Sequence, residues 1–158
     1  MFDTDKNLKI LIDADMIVFR SCAACETPID WDCDLTTLHC EHAEAEKLVD
    51  DTVISIVDKV LDHYKYAGEY EILMCFSDKE NFRKHILPSY KANRVGKRKP
   101  LGYSKVVEWV KDNFTCYQKP TLEADDCIGI LATLNPNSSI IVSGDKDFKS
   151  IPGCFYNF

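Results

Sequence analysis

The sequence predicts an α/β fold built on a mainly parallel sheet, and three observations predict it. Short, largely apolar runs at Leu8–Ile12 (LKILI), Ile72–Phe76 (ILMCF) and Ile140–Ser143 (IIVS) read as strands buried on both faces, as parallel strands are. Between them lie longer segments whose apolar residues recur at the helical period. No long system of hairpins interrupts this alternation.

In chain order, the first strand covers about Leu8–Asp13, and a helix from near Asp15 carries Val18, Phe19 and Cys22. Residues 26–40, with Pro28, alternating acids and the β-prone TTLHC, read as irregular or hairpin-like. A long helix follows over about Glu41–Tyr66, with Val49, Val53, Ile56, Val57, Val60 and Leu61 at helical spacing. The second strand is Ile72–Phe76. Residues 78–100 are basic and broken by Pro88, Gly96 and Pro100, which predicts a loop or arch with at most a short helix. A helix over Tyr103–Asn113 leads to a short strand at Phe114–Tyr117, and Thr121 is placed to cap a helix running to about Leu134. The NPNSS segment at 135–139 is turn chemistry. A strand at Ile140–Ser143 and a last one within Gly153–Phe158 complete the sheet.

At 158 residues, with 46% apolar and 28% charged residues, the chain is sized and composed as one soluble domain, 1–158. No apolar stretch approaches the ~20 residues that span a bilayer, and the acidic start MFDTDKN resembles neither a secretory signal nor a transit peptide. Eight cysteines fit a reducing setting, with Cys75 and Cys127 inside predicted core elements. The net charge of −7 hides an uneven distribution: Lys79–Lys99 holds eight Lys/Arg against one acid, Glu80. That segment carries +7 and leaves −14 for the rest. A basic block on an acidic body is an electrostatic footprint for phosphate, although a charge run can equally be a solvated loop.

Carboxylates collect where the apolar runs end: Asp13 and Asp15; Asp78; Glu123, Asp125 and Asp126; Asp145 and Asp147. In parallel sheets the carboxyl ends of the strands share one edge, where ligands bind. So many acids on one edge repel unless a cation neutralises them, and hard divalent ions prefer oxygen ligands. Two acids in a helix's first turn can be mere dipole complements, and a DxD after a strand can be a turn. All the clusters together predict a metal site. Two ions a few ångströms apart can clamp the attacking and leaving oxygens of a phosphodiester. Within the basic block, Pro88–Arg94 (PSYKANR) adds an aromatic that can stack on a base and cations that can hold phosphates.

The set IDAD, FSDKENFRKHILPSYKANR, LEADD and SGDKDF, in that order and spacing, resembles the 5′–3′ exonuclease and flap endonuclease superfamily, most nearly the exonucleases of short-tailed bacteriophages. The resemblance spans nearly the whole chain. It implies a PIN-like (Rossmann-like), three-layer catalytic domain, two Mg²⁺ (or Mn²⁺) ions, and hydrolysis of DNA, or RNA of hybrids, at 5′ ends, flaps and nicked or frayed duplex. Carried over by position, Asp13, Asp78, Glu123, Asp125, Asp126, Asp145 and Asp147 would be metal-site carboxylates, with Asp15 supporting them from behind. Lys91 and Arg94 would be catalytic arch cations at the scissile phosphate. Tyr90, Arg83, Lys84, Asn93, Lys97, Arg98 and Lys99 would bind nucleic acid. It further implies the cytoplasm of a bacterial host and no membrane partner. Family members continue into a helix–three-turn–helix segment with further metal-site aspartates, whereas this sequence stops at Phe158. The expectation that follows is a truncated or split half, able to bind without cleaving alone, or one completed by a separate C-terminal chain.

Two other readings stand beside this one. IDADMIVF also resembles the strand-end DxD of haloacid-dehalogenase-type phosphatases, with Asp13 as nucleophile and Asp15 as acid/base. Cys22, Cys25, Cys33, His39, Cys40 and His42 could form a zinc knuckle, but their irregular spacing favours core or incidental cysteines. Trp31 and Trp109 are read as packing residues, and His63 and His85 as having ordinary surface or arch roles.

Overall fold

The computed structural model describes residues 7–32, 34–94 and 96–158, with Arg94 described as backbone alone. Seven strands and five helices follow in the order β1 (Leu8–Asp13), α1 (Ala14–Ala24), β2 (Glu26–Trp31), β3 (Leu35–Cys40), α2 (His42–Tyr64), β4 (Tyr70–Cys75), α3 (Phe82–Ile86), α4 (Tyr103–Asn113), β5 (Cys116–Tyr117), α5 (Ala124–Leu134), β6 (Ser139–Val142) and β7 (Cys154–Tyr156). Short 3₁₀ turns occupy Ala92–Arg94 and Lys146–Ser150.

Five strands form one sheet in the order β5-β4-β1-β6-β7, every neighbouring pair parallel. This is the central parallel sheet the apolar runs predict. Residues alternate across it with the two-residue period of a strand. Ile10 and Ile12 of β1 join Met74, Ile140 and Val142 in a core closed by α1, α2 and α4. Leu11 points the other way, with Leu73, Cys75 and Ile141, into a smaller core under α5. The result is three layers. Burying each such Ile or Leu contributes about 1.5–3 kcal/mol.

Strands β2 and β3, Glu26–Trp31 and Leu35–Cys40, pair antiparallel as a two-stranded sheet outside the main one. Trp31 sits on it largely exposed, its Nε1 donating to Thr37 Oγ1 at 2.8 Å, so its packing role is corrected. Trp109 does pack, edge-on to Phe114. His63 contacts the rings of Tyr64 and Tyr156, and His85 is exposed on the arch. Cys22, Cys75 and Cys127 are fully buried, as small core residues are. Cys33 lies outside the described residues.

Chain order explains where a site belongs. From β1 the chain reaches β4 on one side of it and later β6 on the other. Beyond the carboxyl ends of those three strands lies the crevice at which such sheets bind ligands.

Candidate active site

Asp13 ends β1 and caps α1, accepting from Met16 N at 3.4 Å. Its other oxygen accepts from Ser143 Oγ at 3.0 Å, and Ser143 Oγ accepts from Asp145 N at 3.0 Å. A fully buried serine thus joins the ends of β1 and β6. Next to it, a side chain at Gly144 would meet Met16 Sδ at 2.8 Å, so glycine allows this turn to pass close to α1. Burial raises the Asp13 pKa to about 6, with repulsion from Asp125 and Asp15 adding and the Ser143 bond opposing.

The sequence LEADD opens α5 two residues later than the predicted cap at Thr121: Glu123 is the N-cap, and Asp126 accepts from Glu123 N at 3.0 Å. Thr121 instead takes a left-handed φ of 63°, from which its N–H reaches Asp78 Oδ2 at 2.7 Å. Asp125 is solvent-exposed as a residue. Its carboxyl is nonetheless enclosed enough that desolvation raises its pKa, helped by Glu123, Asp145 and Asp126 and opposed by Lys91. Asp13, Asp125 and Asp145, from three separate elements, are therefore near enough to repel one another through Asp125.

The arch closes on this edge. Arg83 donates from both terminal nitrogens to Asp126, at 2.7 and 2.6 Å, and lies 3.5 Å from Glu123. Lys91 Nζ reaches Glu123 Oε1 at 2.6 Å, and Tyr90 OH donates to Glu123 Oε2 at 2.8 Å. The Arg83 bonds hold Asp126 below the usual carboxylate range. Burial alone would raise Glu123, but the bonds from Lys91 and Tyr90 outweigh it and lower its pKa.

The remaining predicted site residues are placed differently. Asp78 is spent on a turn, accepting from Lys79 N at 2.8 Å, from Thr121 N and from Gln118 Nε2 at 3.4 Å. Asp147 is exposed, its N–H donating to Asp145 Oδ1 at 2.9 Å. Asp15 stands behind the edge with one oxygen on Tyr103 OH and the other on Ser77 N, both at 2.9 Å. With both oxygens held, it is poorly placed to shuttle protons as a phosphatase acid/base. Lys84, Asn93 and Lys97 are exposed. Lys99 Nζ lies 4.1 Å from the centre of the Tyr103 ring. Arg98 is not a free cation: it grips the carboxylate of Glu26, which also accepts from Leu101 N at 2.6 Å. These bonds pull Glu26 down to about 2. The Arg94 side chain lies outside what is described.

Reasoning from sequence missed Ser143, Ser77, Tyr103 and Glu26. Each acts through a partner 62 or more residues away in the chain, beyond the reach of any local pattern.

Among the described residues, no three His, Cys, Asp or Glu side chains are gathered round one point as an ion needs, at the cysteines or at the edge. At the edge, Glu123 and Asp126 hold arch cations. The donor chemistry still fits a hard divalent ion, since it is all oxygen and leaves Asp13 and Asp125 raised by burial and mutual repulsion.

Residues 9–152 match the family described as 5′-3′ exonuclease, N-terminal resolvase-like domain. The chain belongs to this family.

Phage exonucleases are among the similar proteins. The exonuclease of Escherichia phage T7 is 34% identical over 95% of this chain and 51% of its own length. The exodeoxyribonuclease of Enterobacteria phage T3 is also 34% identical, over 95% of this chain and 50% of its own. The chain thus spans about half the length of the curated relatives it matches. A structure of T5 5′-exonuclease with divalent metal ions (zinc) bound superposes with a TM-score of 0.56 at 19% identity, covering 97% of this chain and 55% of that one. That likeness supports the three-layer fold. No helix among the described residues is long and apolar enough to cross a membrane.

Proposed function

We propose that this chain is the catalytic domain of a metal-dependent 5′–3′ nuclease that hydrolyses DNA, flaps and frayed 5′ ends included. The observation that carries this reading is an edge where Asp125 lies within electrostatic reach of both Asp13 and Asp145, from three elements, beside an arch whose Arg83, Lys91 and Tyr90 bind the adjoining Glu123 and Asp126. A phosphodiester needs both halves: oxygens to hold cations, and cations to hold phosphate.

Asp13, Asp125 and Asp145 would hold Mg²⁺ or Mn²⁺, with Glu123, Asp126 and Asp147 completing the set. Bound there, divalent ions would lower the pKa of a coordinated water and neutralise charge on the phosphoryl oxygens. Ser143 fixes the Asp13 carboxylate and the Asp145 backbone relative to each other. Lys91 and Arg94 would offset charge at the scissile phosphate, and Tyr90 would stack on a base once turned from Glu123. Lys84, Asn93, Lys97 and Lys99 would follow the backbone of the strand.

A second reading is favoured by the same contacts: with Glu123 and Asp126 held by the arch, the chain binds nucleic acid but does not cut without a separate C-terminal partner. One assay separates the two. A 5′-labelled duplex with a frayed end is incubated with Mg²⁺ or Mn²⁺, and release of 5′ nucleotides by the chain but not by Asp145→Ala supports the nuclease. Retention of DNA binding with no release, by both proteins equally, supports the binding half.

A further inference from the structure

The arch cations do not wait beside the carboxylate edge; they bind two of its members, Glu123 and Asp126. Both oxygens of Asp126 are taken by Arg83, and both oxygens of Glu123 by Lys91 and Tyr90. Nothing about this grip is casual. Asn81 caps α3 by accepting from Arg83 N at 2.8 Å, and the guanidinium lies over the rings of Phe82 and Tyr90, at 4.7 and 5.8 Å from their centres. Lys91 takes a left-handed φ of 52° as it reaches Glu123. The four side chains are between 16% and 31% exposed, so water and salt screen the pairs only in part. Lys84, one residue from Arg83 and of equal charge, is exposed.

An oxygen lone pair that receives an N–H cannot at the same time coordinate a metal ion. We propose that Arg83 and Lys91 are tethered counter-ions that compete with divalent metal for Asp126 and Glu123, so that loading the metal and releasing the arch are one linked event. The proposal rests on the metal-site reading above and adds its regulation. Linkage is reciprocal: whatever the docked arch costs the metal, the bound metal costs arch docking by the same factor. A nucleic-acid phosphate offers Arg83 and Lys91 another anion. Substrate that draws the cations away therefore frees the carboxylates, and metal and substrate bind with positive cooperativity. With neither present, Glu123 and Asp126 are held by the protein's own cations.

The test is Mn²⁺ binding to the full chain without nucleic acid, read by the electron paramagnetic resonance of free Mn²⁺. Arg83→Met and Lys91→Met are each expected to tighten binding by about fivefold or more. Lys84→Met removes the same charge without the contact, and is expected to change it by about twofold or less. The two active variants act on opposite sides of Glu123, so either carries the result if the other does not fold. In the wild-type chain, saturating Mn²⁺ is expected to speed deuterium exchange across residues 82–94. Mn²⁺ binding no tighter in either variant, an equal gain in Lys84→Met, or arch exchange unmoved by Mn²⁺ overturns the proposal while leaving the metal site standing. Failure of every protein to bind Mn²⁺ removes the metal-site reading itself, and this proposal with it.

Discussion

Asp13 and Arg83 both belong to the carboxylate edge, one as a member and one as a counter-ion, and different forces hold them there. Asp13 ends a strand paired along its length with two parallel neighbours, its apolar residues at most 1% exposed. Arg83 belongs to an arch, residues 79–99, in which Asn81 is the single buried side chain among those described. The arch is held at both ends by charge: Arg83 and Lys91 on Asp126 and Glu123, and Arg98 on Glu26. One half of the site is specified by packing and the other by ion pairs. Packing is costly to undo, whereas part-exposed ion pairs are weak and exchangeable.

The largest effect expected from this contrast is on stability. Ile12→Ala empties a fully buried position at the end of β1 and should cost about 2–5 kcal/mol in denaturant unfolding. Ile86→Ala, on an arch residue 76% exposed, should stay within about 0.5 kcal/mol. Comparable losses from the two would mean the arch is part of the cooperative core.

Acid should act on the two halves in opposite directions. Asp13 has its pKa raised from 3.8 to about 6, so its native carboxyl favours the proton. Its contribution is complete below about pH 3.8 and is lost as pH rises through about 6, up to about 3 kcal/mol in all. Asp126 and Glu123 are lowered, so their contribution is present above their ordinary range and fades as pH falls. Unfolding midpoints of metal-free protein between pH 4 and 7 should therefore show a decline towards neutrality that Asp13→Asn removes. A flat profile for the unsubstituted chain would show that Asp13 is ionised at no cost.

How much of this could be read from sequence follows the same division. β1 and α4 fall on their predicted residues, and the other predicted strands and helices of the three-layer fold shift by one to three residues, because burial on both faces and helical amphipathicity leave local, periodic traces. The acids that end the strands were legible for that reason. The arch was legible only as a basic, proline-punctuated segment. That Arg83 would hold Asp126, 43 residues away, or Arg98 hold Glu26, 72 residues away, leaves no periodic mark. Trp31 went astray for a related reason: aromatic residues are usually packed, but the hairpin that carries it pairs outside the main sheet.

A smaller effect is expected at the far end of the arch. Glu26→Gln removes the charge that Arg98 grips while keeping an acceptor for Leu101 N. Trypsin should then cut faster at Lys97–Lys99 with the unfolding midpoint of the whole chain unchanged. A midpoint that falls with the cutting rate would make this latch part of the fold and not a fastening of the arch.

The smallest expected effect lies at a backbone joint between the two halves. Thr121 accepts from Phe82 N at the start of the arch helix, at 3.0 Å, and donates its own N–H to Asp78 beyond β4. To do both it holds a φ of 63°, a conformation that crowds a β-branched side chain against its own backbone. That strain is on the order of 1–2 kcal/mol, and glycine would relieve it while adding about 0.5–1 kcal/mol of chain entropy to be lost on folding. The difference favours Thr121→Gly by about 0.5 kcal/mol, a slight rise in unfolding midpoint. Both backbone hydrogen bonds survive the change, so the arch should stay docked and its deuterium exchange should not rise. Faster exchange across residues 82–94 at an unchanged midpoint would show instead that the threonine side chain stiffens the joint, and that the arch is held by its hinge as well as by its charges.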